Sequence, residues 1–261
     1  MAIRGLDVFQ EHFRNFEGAF LLIGGAACDD WFDSQGLTFR ATDDLDMVLI
    51  LEALSAPFVN GLWEFIRAGG YRVRNRSEGG PPILYRFSDP EDGTYPVMLE
   101  IFSRRAEGLV LAEDQQVEPI LNDDADSLSA ILLDDEYYGL LLNHRRVSNG
   151  VWMADATALV PLKARAWLDL SARRERGENV DRRKVRKHRN DVFGLAATLP
   201  GVPGPQLPDR IASDIREFLG KFPVGADEWD AILQSVRDTI GGRPSPGTLI
   251  DAIRTYYNLA S

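Results

Sequence analysis

The sequence has few of the features that cross-link or anchor a protein. Cys28 is the single cysteine among 261 residues, which excludes an intrachain disulfide framework. No run approaches eighteen uncharged apolar residues, so we expect no membrane span. The first sixteen residues lack the apolar core of a signal peptide. With 44% apolar and 26% charged residues, the composition is that of an ordinary globular protein, and we expect a cytoplasmic one.

Basic residues are scarce overall but concentrated in one segment. The net charge of −11 disfavours a general nucleic-acid coat protein. Residues 161–191 nevertheless hold eleven Lys or Arg against five Asp or Glu. A basic segment on an acidic chain predicts one confined anionic ligand, such as a triphosphate or an RNA end. The alternative is a solvated, charge-laced pair of helices.

The apolar patterns predict an α+β fold whose two halves differ in character. In the first half, strands are predicted at 19–23 and 44–51, and an antiparallel pair is predicted for "ILYRF" and "YPVMLEIF". We therefore predict a mixed or antiparallel sheet with flanking helices in a domain spanning 1–150. From 151 to 261 the pattern is helical, with a Pro/Gly linker at 200–208.

Two aspartates begin the strand "DLDMVLIL". Because side chains alternate along a strand, Asp44 and Asp46 share one face, while Leu45 and Met47 pack on the other. Two converging carboxylates are suitable ligands for Mg²⁺. On its own, the pattern is explained better by a strand end that dips into solvent than by a metal site.

Two further features accompany the aspartates. Glu100 interrupts the apolar run "PVMLEIF", and a charged residue in mid-strand is expected to be paired, exposed or metal-bound. It either completes a three-carboxylate cation site or pairs with Arg86 on the adjacent strand. Gly24 and Gly25 lie about twenty residues before the aspartates. They either let the backbone approach a phosphate at a helix N-terminus or form a tight turn without a ligand.

The segment "IGGAACDDWFDSQGLTFRATDDLDMVL" resembles the nucleotidyltransferase superfamily that includes DNA polymerase beta. That signature is an apolar residue, two glycines or Gly-Ser, a spacer, and Asp-x-Asp or Asp-x-Glu on a strand, with a third carboxylate on a later strand. Here the match falls on Gly24, Gly25, Asp44, Asp46 and Glu100. The spacer is somewhat longer than in the commonest form of the motif.

More narrowly, the chain is similar to the AbiEii toxins of type IV toxin–antitoxin systems. Their later motifs match Lys163 in "PLKARAW" and Asp191 in "RKHRNDVF", and the resemblance covers about residues 18–195. Two departures stand out. Ala26 replaces the usual Ser or Thr, which leaves fewer hydroxyl contacts to phosphate. The Arg-rich insert 173–186 lengthens the interval between Lys163 and Asp191.

The resemblance implies transfer of a nucleoside monophosphate from an NTP to a hydroxyl acceptor. It implies that Mg²⁺ or Mn²⁺ is held by Asp44, Asp46 and Glu100, and that Gly24 and Gly25 cradle the phosphates. Lys163 would contact the triphosphate, and Asp191 would orient Lys163 or act as a general base. Secondary contacts to phosphate or acceptor are expected from Arg165, Lys187 and Arg189. The implied partners are RNA, such as tRNA, and an antitoxin protein.

Two other functions are consistent with the same motifs. One is modification of a small molecule, as in antibiotic nucleotidyltransferases, which use the same Gly-Gly and Asp-x-Asp features. The other is binding of a nucleotide or a partner protein without turnover, which Ala26 and the acidic composition favour.

Overall fold

The computed structural model describes residues 3–50, 53, 55–73, 84–102, 131 and 134–259. Within these ranges, seven strands form one sheet in the order β3-β4-β5-β2-β1-β7-β6. The strands are β1 Phe20–Ile23, β2 Asp44–Leu49, β3 Arg72–Val73, β4 Leu84–Ser88, β5 Met98–Phe102, β6 Arg145–Ser148 and β7 Val151–Ala154. Strands β2 and β5 pair in parallel, as do β1 and β7, and the other neighbours are antiparallel.

Nine helices of eight residues or more lie in the described part of the chain. They are α1 Leu6–Phe13, α2 Gly24–Ser34, α3 Ala56–Ala68, α4 Asp135–Asn143, α5 Ala156–Glu175, α6 Arg182–Ala196, α7 Asp209–Gly220, α8 Trp229–Ile240 and α9 Pro246–Tyr256. The predicted α+β class with a mixed sheet is confirmed, whereas the nucleotidyltransferase fold stays a prediction. Among these helices, none combines the length and apolar character needed to cross a bilayer.

The chain divides into two compact units, each discontinuous in sequence. Unit 1 comprises Met1–Asp30, Ala41–Leu133 and Arg145–Ala154, and unit 2 comprises Trp31–Arg40, Asp134–His144 and Asp155–Ser261. Unit 1 contains the sheet, and unit 2 is helical. The predicted domain boundary at residue 150 stays a prediction. Residues 200–208, the predicted linker, contain no helix or strand.

The core of unit 1 is aromatic. Phe9 and Phe13 of α1 lie at a ring-centroid distance of 4.5 Å, and Phe9 contacts Phe20 of β1 and Phe65 of α3 edge-on at 5.5 Å. All four rings are fully buried. Such edge-to-face pairs add stability beyond that of the buried area. The helices α1 and α3 are thereby fixed against the strand that precedes Gly24.

In unit 2, α5 contains a proline whose missing backbone hydrogen bond is replaced by a side chain from a distant part of the sequence. Pro161 lies in the sixth position of the helix and has no N–H to donate to the Thr157 carbonyl. The Tyr257 hydroxyl donates to that carbonyl oxygen instead, at 3.0 Å. Burial raises the pKa of Tyr257 well above its usual value, so the hydroxyl keeps its proton. Tyr257 therefore supplies the hydrogen bond that the proline removes.

Replacing Tyr257 with phenylalanine is expected to lower the free energy of unfolding by about 1–3 kcal/mol, because a buried carbonyl loses its donor. Pro161→Ala restores a backbone N–H, so Tyr257→Phe should cost less in that background. Urea denaturation of the four proteins in this double-mutant cycle measures the coupling. Strictly additive effects would show that the hydroxyl does not replace the missing amide.

Candidate functional site

Gly24 and Gly25 stand at the junction of β1 and α2. The strand passes directly into the helix, since α2 begins at Gly24 immediately after Ile23. Gly24 has φ +67°, and a Cβ there would overlap the Asp46 carboxylate, lying 2.6 Å from Asp46 Cγ. A Cβ at Gly25 would lie 2.9 Å from Thr42 Cβ. The glycines are therefore in close contact with side chains at the start of β2, and the two sequence motifs form one local structure.

Gly24→Ala is expected to destabilise the protein by about 2–3 kcal/mol, because it adds overpacking against Asp46 to the strain of a positive φ. Gly36→Ala is the matched control. Gly36 has φ +71°, and no atom lies within 4 Å of the position that a Cβ would take there, so only the conformational strain of about 1 kcal/mol is expected. Thermal unfolding compares the two variants. Equal shifts would show that the contact with Asp46 is not restrictive.

The three predicted carboxylates lie on adjacent strands of the sheet. Asp46 is the register partner of Glu100 on the parallel strand β5, and Asp44 is the partner of Met98. Register partners project to the same face, so Glu100 lies beside Asp46 and on the side that Asp44 also faces. Asp44 and Asp46 are half-buried, whereas Glu100 is only 8% exposed. The strand order thus brings the trio to one face.

Glu100 also has a counter-ion. Arg86, its register partner on β4, donates from Nε to Glu100 Oε1 at 2.6 Å, and Nη2 contacts the same oxygen. The ion pair considered as an alternative from the sequence is therefore formed. Within the ranges that the structure describes, no group of three or more His, Cys, Asp or Glu side chains is arranged to hold a metal ion.

The fit of a metal ion to this face is therefore partial. Carboxylate oxygens are the ligands that Mg²⁺ prefers, and it often takes only one or two from the protein, with water and substrate phosphate completing the shell. Asp44 and Asp46 meet this requirement, because both are carboxylates and both project from the same face of β2. Arg86 occupies Oε1 of Glu100, so Glu100 would join them through its other carboxylate oxygen or by leaving Arg86.

In unit 2, two cations share one buried carboxylate. Lys163 Nζ donates to Asp191 Oδ2 at 2.9 Å, and Arg40 donates to both oxygens of Asp191 at 2.9 and 2.8 Å. Lys163 is 5% exposed and Asp191 is 3% exposed. The lengthened interval between Lys163 and Asp191 therefore does not separate them, since α5 and α6 pack against each other.

The electrostatics of Asp191 favour one of its two predicted roles. Burial alone would raise the pKa of the carboxyl, but the charges and hydrogen bonds of Lys163 and Arg40 outweigh it and hold the pKa well below the ordinary value. A carboxylate with so low a pKa is a weak base. The geometry therefore favours orientation of Lys163 over general-base catalysis.

His188 lies next to this network, and its position in the basic run predicts a solvated helix face rather than a phosphate contact. Its buried Nδ1 has no hydrogen-bond partner among the residues described. Burial lowers the pKa of His188 to about 3, with Lys163, Lys187 and Arg40 acting in the same direction and Asp191 opposing them. The imidazole is therefore neutral at pH 7.

The low pKa of His188 gives the protein a pH-dependent stability. The unfolded imidazole takes up its proton near its ordinary pKa of 6.5, whereas the folded one does so only near 3, so stability falls as the pH drops through this window. The expected slope is up to about 1.4 kcal/mol per pH unit. His188→Asn should flatten the profile between pH 6.5 and 4 in urea titrations. An unchanged slope would assign the acid sensitivity to other groups.

The secondary basic residues have separate surroundings. Arg165 donates to Asp214 at 3.1 Å, and Asp214 also accepts from the Tyr137 hydroxyl at 2.8 Å, so Arg165 belongs to a structural ion pair. Lys187 is half-buried. Arg189 is buried and lines a cleft of unit 2. Arg165 is thus held by a carboxylate, whereas Arg189 faces a cleft.

Sequence reasoning missed two residues of these clusters. Arg40 binds Asp191 across 151 residues of sequence, and Thr42 packs against Gly25. A single arginine just before "ATDDLD" was the available signal for Arg40. No protein-family model, curated protein or solved structure matches the chain.

Proposed function

We propose that the chain is a metal-dependent nucleotidyltransferase that moves a nucleoside monophosphate from an NTP to a hydroxyl acceptor. The observation that carries the proposal is the contact between Gly24 and Asp46, with Glu100 beside Asp46 on the next strand. A glycine pair at a helix N-terminus suits phosphate, and paired aspartates suit a hard cation. This combination supports phosphoryl chemistry more directly than it supports a structural role.

Each residue of unit 1 has a distinct part in this proposal. Asp44 and Asp46 would hold Mg²⁺ or Mn²⁺, and the bound ion would offset charge on the transferring phosphate. The backbone N–H groups of Gly24 and Gly25 would donate to the outer phosphates. Arg86 holds Glu100 through Oε1, and Glu100 would act as the third carboxylate ligand through its other oxygen or on release from Arg86.

The proposal gives the residues of unit 2 an electrostatic part. Lys163 and Arg40 share the single negative charge of Asp191, so these three side chains together carry a net positive charge. Asp191 would hold Lys163 in position, as the resemblance implies. Arg40 is the more exposed of the two cations, with 32% of its side chain accessible.

Mass spectrometry tests donor, acceptor and bond together. The protein is incubated with each NTP, with Mg²⁺ or Mn²⁺, and with total RNA, lysate protein or aminoglycosides as acceptors. We expect pyrophosphate release and an added nucleotide on RNA such as tRNA. A product only with aminoglycosides would identify the small-molecule enzyme instead. Absence of pyrophosphate with every donor and acceptor class would contradict the proposal.

The Arg86–Glu100 pair favours a second candidate, nucleotide or partner binding without turnover. In that case Glu100 is neutralised within the sheet and needs no metal. Calorimetric NTP binding without pyrophosphate release would support this candidate. Co-purification of an antitoxin protein from its native host would test the proposed partner separately.

A further inference from the structure

A cleft in unit 2 has features that the proposed transfer reaction does not use. It has a volume of about 760 Å³, within the range of small-molecule sites. One face of α5 and one face of α6 line it, together with residues that follow α7 and precede α8. From these features we infer that the cleft binds a small phosphate ester carrying a planar ring, of mononucleotide size.

The arginines of this region fall into two groups. Eight arginines lie between residues 165 and 189. Four of them have a carboxylate oxygen within 3.3 Å, namely Arg165, Arg173, Arg176 and Arg183. The other four line the cleft, namely Arg174, Arg182, Arg186 and Arg189. Over the described ranges, none of these four has a carboxylate within ion-pair distance, so the cations without counter-ions are those that face the cleft.

Arg189 provides the strongest single reason for an anionic ligand. It is 7% exposed, and its Nε and Nη2 donate to the neutral Asn190 Oδ1 at 3.1 and 3.0 Å. Burial lowers the pKa of its guanidinium, while the charge of Glu228 acts in the opposite direction. A buried cation without a paired anion is costly. A phosphate would offset that cost and could accept two parallel hydrogen bonds from the guanidinium.

The cleft also has an apolar wall. Trp167 and Phe222 line it, with ring centroids 4.9 Å apart, and Trp167 contacts Phe218 at 5.4 Å. Val185 adds to this wall as part of a buried cluster against which Trp167 packs. An aromatic wall suits a planar ring. The buried Ser171 Oγ, which also lines the cleft, has no hydrogen-bond partner in the described part of the chain and would bond a polar group of the ligand.

The charges limit the size of the anion. Glu175 and Glu228 also line the cleft, and the chain as a whole carries a net charge of −11. The two glutamates and the net negative charge of the chain would repel an extended polyanion such as a nucleic-acid strand. Four arginines concentrated in one cleft still attract a single phosphate group. These opposing charges favour a small phosphate ester over a longer polyanion. Binding of such an ester does not require the proposed transfer reaction.

Calorimetric titration of the full chain with 5′-AMP, adenosine and inorganic phosphate tests this inference. EDTA is included, so that divalent-dependent binding and turnover do not contribute. We expect 5′-AMP to bind at least roughly tenfold more tightly than either fragment, because the cleft provides for both phosphate and ring. If adenosine bound as tightly as 5′-AMP, the arginines would not be binding the phosphate. If inorganic phosphate bound as tightly as 5′-AMP, the aromatic wall would not be binding the ring. Either result would overturn the inference. Tighter binding of a single-stranded oligonucleotide would overturn the size limit.

Variants locate the binding site. Arg186→Gln and Arg182→Gln each remove an exposed arginine of the cleft and should weaken 5′-AMP binding roughly ten- to hundredfold. Arg183→Gln is the matched control, since Arg183 is exposed on the same helix but pairs with Asp181. It should change affinity less than about twofold. Equal losses in the three variants would indicate a general charge effect and overturn the inference.

One more variant separates this site from the proposed transfer site. Asp46→Asn should leave 5′-AMP binding unchanged in EDTA. Loss of binding in that variant would place the nucleotide at Gly24 and Asp46 and overturn the assignment to the cleft. Failure of the transfer assay together with retained 5′-AMP binding would contradict the proposed function alone.

Discussion

Asp46→Asn is expected to lower the rate of nucleotidyl transfer by about 10³-fold. Asparagine keeps the size of the side chain but removes the negative charge that would bind the cation, and a metal ion contributes several kcal/mol to a phosphoryl transition state. Asp46 also contacts Gly24, so the change acts where the metal and phosphate portions of the proposed site meet. Pyrophosphate release at saturating NTP measures the effect.

Asp43→Asn is the matched control for this experiment. Asp43 is exposed and directly precedes β2, so it offers the same change in charge outside the proposed site. We expect its rate to stay within about twofold of the parent, as for other surface substitutions. If both variants retain full activity, Asp46 does not hold the metal. If both lose activity equally, the local net charge matters rather than a specific ligand.

Asp191→Asn is expected to lower the free energy of unfolding by about 3–5 kcal/mol. The change leaves Lys163 and Arg40 without their shared counter-charge, and breaking a buried pair in this way is strongly destabilising. Asparagine has nearly the same volume, so no cavity contributes to the loss. Urea denaturation at pH 7 measures the difference. Asp181→Asn serves as control, because Asp181 is an exposed N-cap paired with Arg183, and asparagine caps a helix as well as aspartate does.

The contribution of Asp191 also depends on pH in a predictable direction. Its folded pKa lies below the usual value of 3.8, so the stabilisation is complete above that value and is lost as the pH falls through the folded pKa. The stability difference between parent and Asp191→Asn should therefore be constant from pH 7 to 5 and shrink below pH 4. A difference that already shrinks near pH 6 would indicate that another group is responsible.

The sequence predicted the local pattern of the carboxylate strand well. Leu45 and Met47 are buried, and Asp44 and Asp46 are half-buried on the other face, as alternation requires. The helix α2 begins at Gly24 itself, so the glycines form its first residues. Glycine usually breaks a helix, whereas here its positive φ and lack of a side chain allow contact with Asp46.

Contacts between distant segments could not be derived from local patterns. The parallel pairing of β2 with β5, which places Glu100 beside Asp46, depends on strand order across the whole sheet. The Arg40–Asp191 pair joins residues 151 positions apart, and neither neighbourhood specifies its partner. The sequence therefore leaves two roles open for Asp191, and the charges and hydrogen bonds of Lys163 and Arg40 distinguish them.

The hydrogen bond from Tyr257 to Thr157 has a consequence for synthesis on the ribosome. The two residues are 100 positions apart, so at roughly 5–20 residues per second the donor is made about 5–20 s after the acceptor. During that interval water must solvate the Thr157 carbonyl, which keeps the beginning of α5 out of an apolar core. The helix that carries Lys163 therefore completes its packing late, after the segment containing Tyr257 has emerged.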